Sequence, residues 1–136
     1  PLTVLNDTVY TFAGNITTSQ SNTHTVTIAF TSQGSQWGNF ILEIYATLNW
    51  AAGISTSFAG RALYTFSTLT SIASITEIED TGQNLSFAAT DSGMNFVVTI
   101  TTTATAGQEP DRIGVMAKII RANGSVGNEP TSMTIA

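Results

Sequence analysis

The stretch "NFILEIYATLNW" at positions 39–50 alternates without a break. Phe40, Leu42, Ile44, Ala46, Leu48 and Trp50 fall on one side, and Asn39, Ile41, Glu43, Tyr45, Thr47 and Asn49 on the other. Successive side chains of an extended chain point to opposite faces, so this register predicts a long strand with one buried face. "SFAGRALYTFSTLT" (57–70) repeats the pattern with Phe58, Ala62, Tyr64 and Phe66 inward. "AAGIST" between the two reads as a hairpin loop, with a short helical turn near 50–56 as the other reading of that link.

Further strands are predicted at 8–13, 24–31, 74–79, 84–89, 95–104, 112–120 and 132–136. Between them stand "SQGSQWGN", "DTGQN", "TDSGMN", "TAGQEPD" and "ANGSVGNEP", all rich in turn-forming residues. Seven to ten strands at this spacing, many β-branched residues and no convincing helical period predict an all-β fold: an antiparallel β-sandwich or jelly roll. With 136 residues and no internal repeat or linker, the chain reads as a single domain over 1–136. It is large enough to bury a core without a disulfide, metal or cofactor.

Several strands are apolar on the second face as well. Ile41 and Tyr45, Ala59, Leu63 and Leu69, Val97, and Met116 and Ile120 all fall there. The outer face of a lone two-sheet sandwich should be polar, so this surplus predicts a second buried surface. Only 10% of the residues are charged, against about 25% in an ordinary soluble domain. Serine, threonine and asparagine supply the polarity instead, which suits neutral partners such as sugars or further copies of the chain. Ile41, Tyr45, Leu63, Met116 and Ile120 are therefore the candidates for an interface in a closed symmetric oligomer.

Other classes of function are narrowed by what the chain lacks. It has no cysteine, which excludes a disulfide framework, a Cys-zinc site and a thiol nucleophile. A net charge of -5 with only Arg61, Arg112, Lys118 and Arg121 as cations leaves no footprint for nucleic acid. No apolar run approaches the roughly 18 residues that span a bilayer, so membrane insertion is not expected. The opening "PLTVLNDTVY" carries neither an initiator methionine nor a signal pattern and reads as a fragment of a longer chain.

Candidate chemistry is sparse. Asp80-Thr81-Gly82 and Asp91-Ser92-Gly93 spell the two catalytic motifs of aspartic proteases. They are separated by one short strand, however, and Asp80 sits among Glu77 and Glu79, so they read as turns. His24, the single histidine, has no cysteine or second histidine to share a zinc and no Gly-x-Ser-x-Gly turn to activate. It reads as a strand-edge or loop residue. Glu43, Glu77, Glu79, Asp80 and Asp91 are the possible glycosidase carboxylates, although Glu43 is equally explained by a pairing with Arg61 on the next strand, and Glu77, Glu79, Asp80 and Asp91 are the possible calcium ligands. Trp37 stands at a strand end beside Gln36 and Asn39, and an aromatic face flanked by amides suits a sugar ring. Trp50, in phase with the inward face, reads as core.

The succession "NFILEIYATLNWAAGIST", "GRALYTF", "GQNLSFAATDSGMNFVVTITTTA" and "DRIGVMAKII" resembles the C-terminal receptor-binding or tip domains of bacteriophage tail fibres and tailspikes. The likeness extends along most of the chain and lies in threonine-rich, cysteine-free, weakly charged β texture. It implies a homotrimeric sandwich or jelly-roll knob on the virion surface that binds host polysaccharide or stabilises the trimer. No active-site motif of tailspike depolymerases maps onto any position, so no catalytic residue is expected. A carbohydrate-binding module of a secreted protein and a structural capsid or pilus subunit are the alternatives, with an enzyme behind them.

Overall fold

The computed structural model describes residues 9–31, 37–51, 57–124 and 128–136. Among these, nine strands run in the order β1 (Val9–Thr17), β2 (Thr23–Phe30), β3 (Gly38–Asn49), β4 (Ser57–Thr68), β5 (Ile72–Gln83), β6 (Leu85–Ser92), β7 (Asn95–Thr102), β8 (Arg112–Gly124) and β9 (Pro130–Ile135). They form two antiparallel sheets, β1-β8-β3-β4-β5 and β6-β7-β2-β9. The β3-β4, β4-β5 and β6-β7 pairs are hairpins or direct continuations. By contrast, β8 inserts between β1 and β3 while β7 and β9 flank β2, the long-range nesting of a jelly roll. The predicted all-β sandwich is therefore the observed architecture.

Alternation selects the core. Leu42, Ile44, Ala62, Ala117 and Ile119 of the five-stranded sheet face Val26, Ile28, Phe96, Val98 and Ile100 of the other, all of them fully buried. An aromatic cluster fills one end of the sandwich: Phe40 stacks on Phe66 at 5.4 Å between centroids, and Phe30 meets both edge-on. Tyr64 and Phe66 reach Phe96 on the opposing sheet. This end also takes in Arg121, whose guanidinium lies over the Tyr10 and Phe40 rings while Nη2 donates to the Asn128 carbonyl at 3.0 Å. The inward face of β3 ends at Leu48; Trp50 follows the strand and is half-buried, so it is not the core residue its phase suggested.

The two turn readings separate. Ser92 pairs with Asn95, and Gly93 has φ 64°, so Gly93-Met94 is a two-residue hairpin turn with glycine in the position that needs positive φ. Asp80-Thr81-Gly82 is not a turn: it lies within β5, paired with Ala62, Arg61 and Gly60. Asn84 alone, at φ 56°, carries the chain from one sheet to the other. Glycine at 60 and 82 permits that corner. A Cβ on Gly82 would stand 2.3 Å from the Leu85 carbonyl oxygen, and one on Gly60 would stand 2.7 Å from Leu85 Cδ2. The predicted "AAGIST" link joins β3 and β4, which pair from Asn49↔Ser57 onward, but 52–56 lie outside the described residues.

Candidate functional site

The outer face of the five-stranded sheet gathers the residues that the apolar surplus singled out. Pairing registers arrange it in rows across the strands. One row runs Val9, Ile120, Ile41, Thr65; the next Thr11, Lys118, Glu43, Leu63, Glu79; the next Ala13, Met116, Tyr45, Arg61, Thr81. Ile41 thus lies beside Ile120, and Tyr45 beside Met116, with Leu63 on the neighbouring strand. Met116 is 47% exposed, and Ile41, Tyr45, Leu63 and Ile120 are partly exposed. Of the other second-face residues, Ala59 joins this surface, Val97 lies on the other sheet, and Leu69 sits in the β4-β5 turn.

Between the two apolar pairs run Lys118 and Glu43, opposite one another in register, where their charges offset. The expected Glu43-Arg61 pairing is not formed. The strand register puts Arg61 opposite Tyr45 and one row from Glu43, so Glu43 instead accepts a hydrogen bond from the Tyr45 hydroxyl. That bond, reinforced by partial burial and by the Glu43 charge, holds the Tyr45 phenol above its usual pKa, with Arg61 opposing. Arg61 Nε donates to Glu79 Oε1 at 2.9 Å, and Thr81 Oγ1 donates to the same oxygen at 3.1 Å. The two bonds and the guanidinium charge hold the Glu79 carboxyl below the ordinary carboxylate range, and Glu79 raises the Arg61 guanidinium in turn.

Trp37, 46% exposed, directly precedes β3, and exposed Asn39 follows two residues on, in phase with Ile41. Two sites expected to be separate therefore line up along one strand. Gln36 lies outside the described residues.

Asp80 and Asp91 do not converge. Asp80 accepts the Phe87 N–H at 3.2 Å, while Asp91 is four residues further along β6, roughly 13 Å at strand rise. That separation is too great for two carboxyls to share a proton. Among the described residues, no three of His, Asp and Glu come together to hold a metal ion. His24 differs from the expected edge or loop residue. It is 3% exposed on a strand flanked on both sides, and its Nε2 donates to the carbonyls of Ser21 (2.9 Å) and Pro110 (3.2 Å). These two loops close the end of the sandwich over it.

No protein-family model matches the sequence, and no curated protein matches it in sequence. The fold itself is of a kind found within phage tailspike proteins. It superposes on part of the Acinetobacter baumannii phage AM24 tailspike protein with a TM-score of 0.51 at 9% identity, covering 95% of this chain and 28% of that one. The tailspike protein of Acinetobacter phage vB_ApiP_P1 gives a TM-score of 0.48 at 11% identity, covering 96% and 24%. At such identities the likeness is one of fold, and the chain spans about a quarter of the length of either tailspike.

Proposed function

We propose that this chain is a non-catalytic, self-associating domain of a phage spike or fibre, a trimer displayed on the virion surface that serves attachment to the host. The observation that carries the reading is the outer face of the five-stranded sheet, where Ile41, Ile120, Leu63, Met116 and Tyr45 gather on a surface that an isolated sandwich would leave polar. Covering each partly exposed side chain adds on the order of 1 kcal/mol per residue. The fold shared with part of a tailspike supports the placement on a virion. Light scattering should give the mass of a closed trimer for the unaltered chain and of a monomer for Ile41→Glu, with β-sheet circular dichroism unchanged. A monomer in the unaltered chain at micromolar concentration sinks the proposal.

A second reading, sugar contact at Trp37 and Asn39, is supported by the exposure of the indole. Trp37→Ala should then lower retention on a polysaccharide column without moving the melting temperature.

A further inference from the structure

The two sheets have four edge strands, and three of them are guarded. Strand β5 shifts register twice and carries Glu77, Glu79 and Asp80. On β6 the outward Phe87 N–H is taken by the Asp80 carboxylate, and β9 is short, opens on Pro130 and shifts register there. Bulges, charges and proline keep a free edge from collecting another strand. The fourth edge, β1, has none of them. Its nine residues pair one for one with β8 from Val9↔Ile120 to Thr17↔Arg112, and "VYTFAGNIT" contains no charged side chain. The direction of its main-chain groups follows from the register. Just past the strand, Thr18 N–H donates to the Asp111 carbonyl at 2.8 Å, one step beyond the Thr17↔Arg112 pair. Antiparallel bonding alternates along a strand, so the even-numbered residues of β1 bond to β8, and Val9, Thr11, Ala13, Asn15 and Thr17 turn N–H and C=O away from it. Among the described residues no strand meets that outward row. At ordinary strand rise it runs roughly 30 Å.

Only an extended backbone matches such a ladder, and the side chains beside it say of what kind. On the inner face Phe12 and Ile16 pack on the core yet stay half-buried, and Met133 and Ile135 of β9, set against Gly14, are in the same state. A strand laid along β1 would place every second side chain over them, where an apolar group is favoured and a charge is desolvated at a cost. On the outer face it meets Thr11, Ala13 and Asn15, all exposed and neutral. A second copy fits less well. Paired two-fold through β1, it brings a Phe12 and an Ile16 already packed on their own core, so they cannot turn to cover this one. We propose that β1 is a docking edge that takes an extended segment of a different polypeptide, apolar at alternate positions, as a further strand of the larger sheet. Self-association does not enter, since the candidate interface residues Ile41, Tyr45, Leu63, Met116 and Ile120 lie on β3, β4 and β8.

Amide hydrogen exchange, read by NMR on the isotopically labelled chain in whatever assembly it adopts, tests this with a capped peptide of alternating valine and threonine as long as β1. The control is a block peptide, the same residues with the valines together and the threonines together. Without peptide, the amides of Thr11, Ala13 and Asn15 should exchange fast while those of Phe12 and Gly14 exchange slowly. At about 1 mM alternating peptide the fast set should slow roughly tenfold or more, with the edge amides of β5 unchanged and the block peptide without effect. Ala13→Pro removes one outward N–H and none of the bonds to β8, so it should weaken binding roughly tenfold and keep the β-sheet circular dichroism. Outward amides that stay fast with the alternating peptide overturn the proposal, and that readout on the unaltered chain stands whether or not the variant folds. So do outward amides slow already in the free chain, as a second copy on the edge would make them. Equal protection by the block peptide, protection gathered on β5 or β9 instead, or full binding by a folded Ala13→Pro chain overturns it as well.

Discussion

Tyr64 is the core residue whose chemistry fits its surroundings least. It is 1% exposed, its hydroxyl has no hydrogen-bond partner among the described residues, and burial first, then the charges of Glu77 and Asp80, push its pKa upward. A buried hydroxyl without a partner is destabilising, whereas the ring fills space beside Phe96. Tyr64→Phe should therefore stabilise the fold by about 1 kcal/mol in urea denaturation, since it keeps the ring and removes the unbonded group. The Arg61-Glu79 pair is exposed and acts differently. Because the folded-state pKa of Glu79 is depressed, its contribution is present above the unfolded carboxyl pKa and is lost as pH falls through the folded value. Glu79→Gln should lower the melting temperature slightly at neutral pH, and the difference should vanish once the pH is low enough to protonate Glu79 in the folded chain, where both proteins carry a neutral side chain. Two residues show where reading from sequence stopped. Glu43 bonds Tyr45, two residues on along the same face, because the register sets Arg61 a row away, and His24 lies under Pro110. The first partner lies within the local alternation, whereas the second, far along the chain, leaves no mark on it.

At the scale of the strand, β5 and its corner are the most informative element. Strand β5 is an edge strand of twelve residues, irregular in register opposite Leu63/Tyr64 and Thr65/Ser67, and it carries Glu77, Glu79 and Asp80. Bulges and charge both discourage another chain from adding to that edge. Its last turn into β6 depends on backbone approach at Gly82, where a Cβ would meet the Leu85 carbonyl oxygen. Gly82→Ala should destabilise the domain by about 2 kcal/mol or more, read as a lower denaturation midpoint, because the corner must shift to admit one methyl group. Each of the nine described strands overlaps a predicted segment, since side-chain alternation is local, although β5, with Ile72, Ile75 and Ile78 spaced by three, does not keep a period of two. The extent of β5 was not legible: "DTGQN" has the composition of a turn, and only pairing with β4 keeps those residues extended through Gln83.

For the whole molecule, the outer face of the larger sheet carries its two apolar pairs on either side of the Lys118 and Glu43 row. If apolar burial drives association, assembly should weaken on cooling and carry a negative heat-capacity change, while moderate salt leaves it nearly unaffected. Calorimetric dilution at two temperatures checks this, and strong dissociation by salt would instead point to the Lys118 and Glu43 row. That second-face apolar residues exist was readable along the chain, because strand alternation assigns each residue a face from its immediate neighbours. That Ile41 lies beside Ile120, or that β1 is left as the outermost strand of the larger sheet, was decided only when β8 inserted between β1 and β3. Alternation acts over two residues, whereas cross-strand rows depend on registers between segments tens of residues apart, which the packing of the two sheets selects.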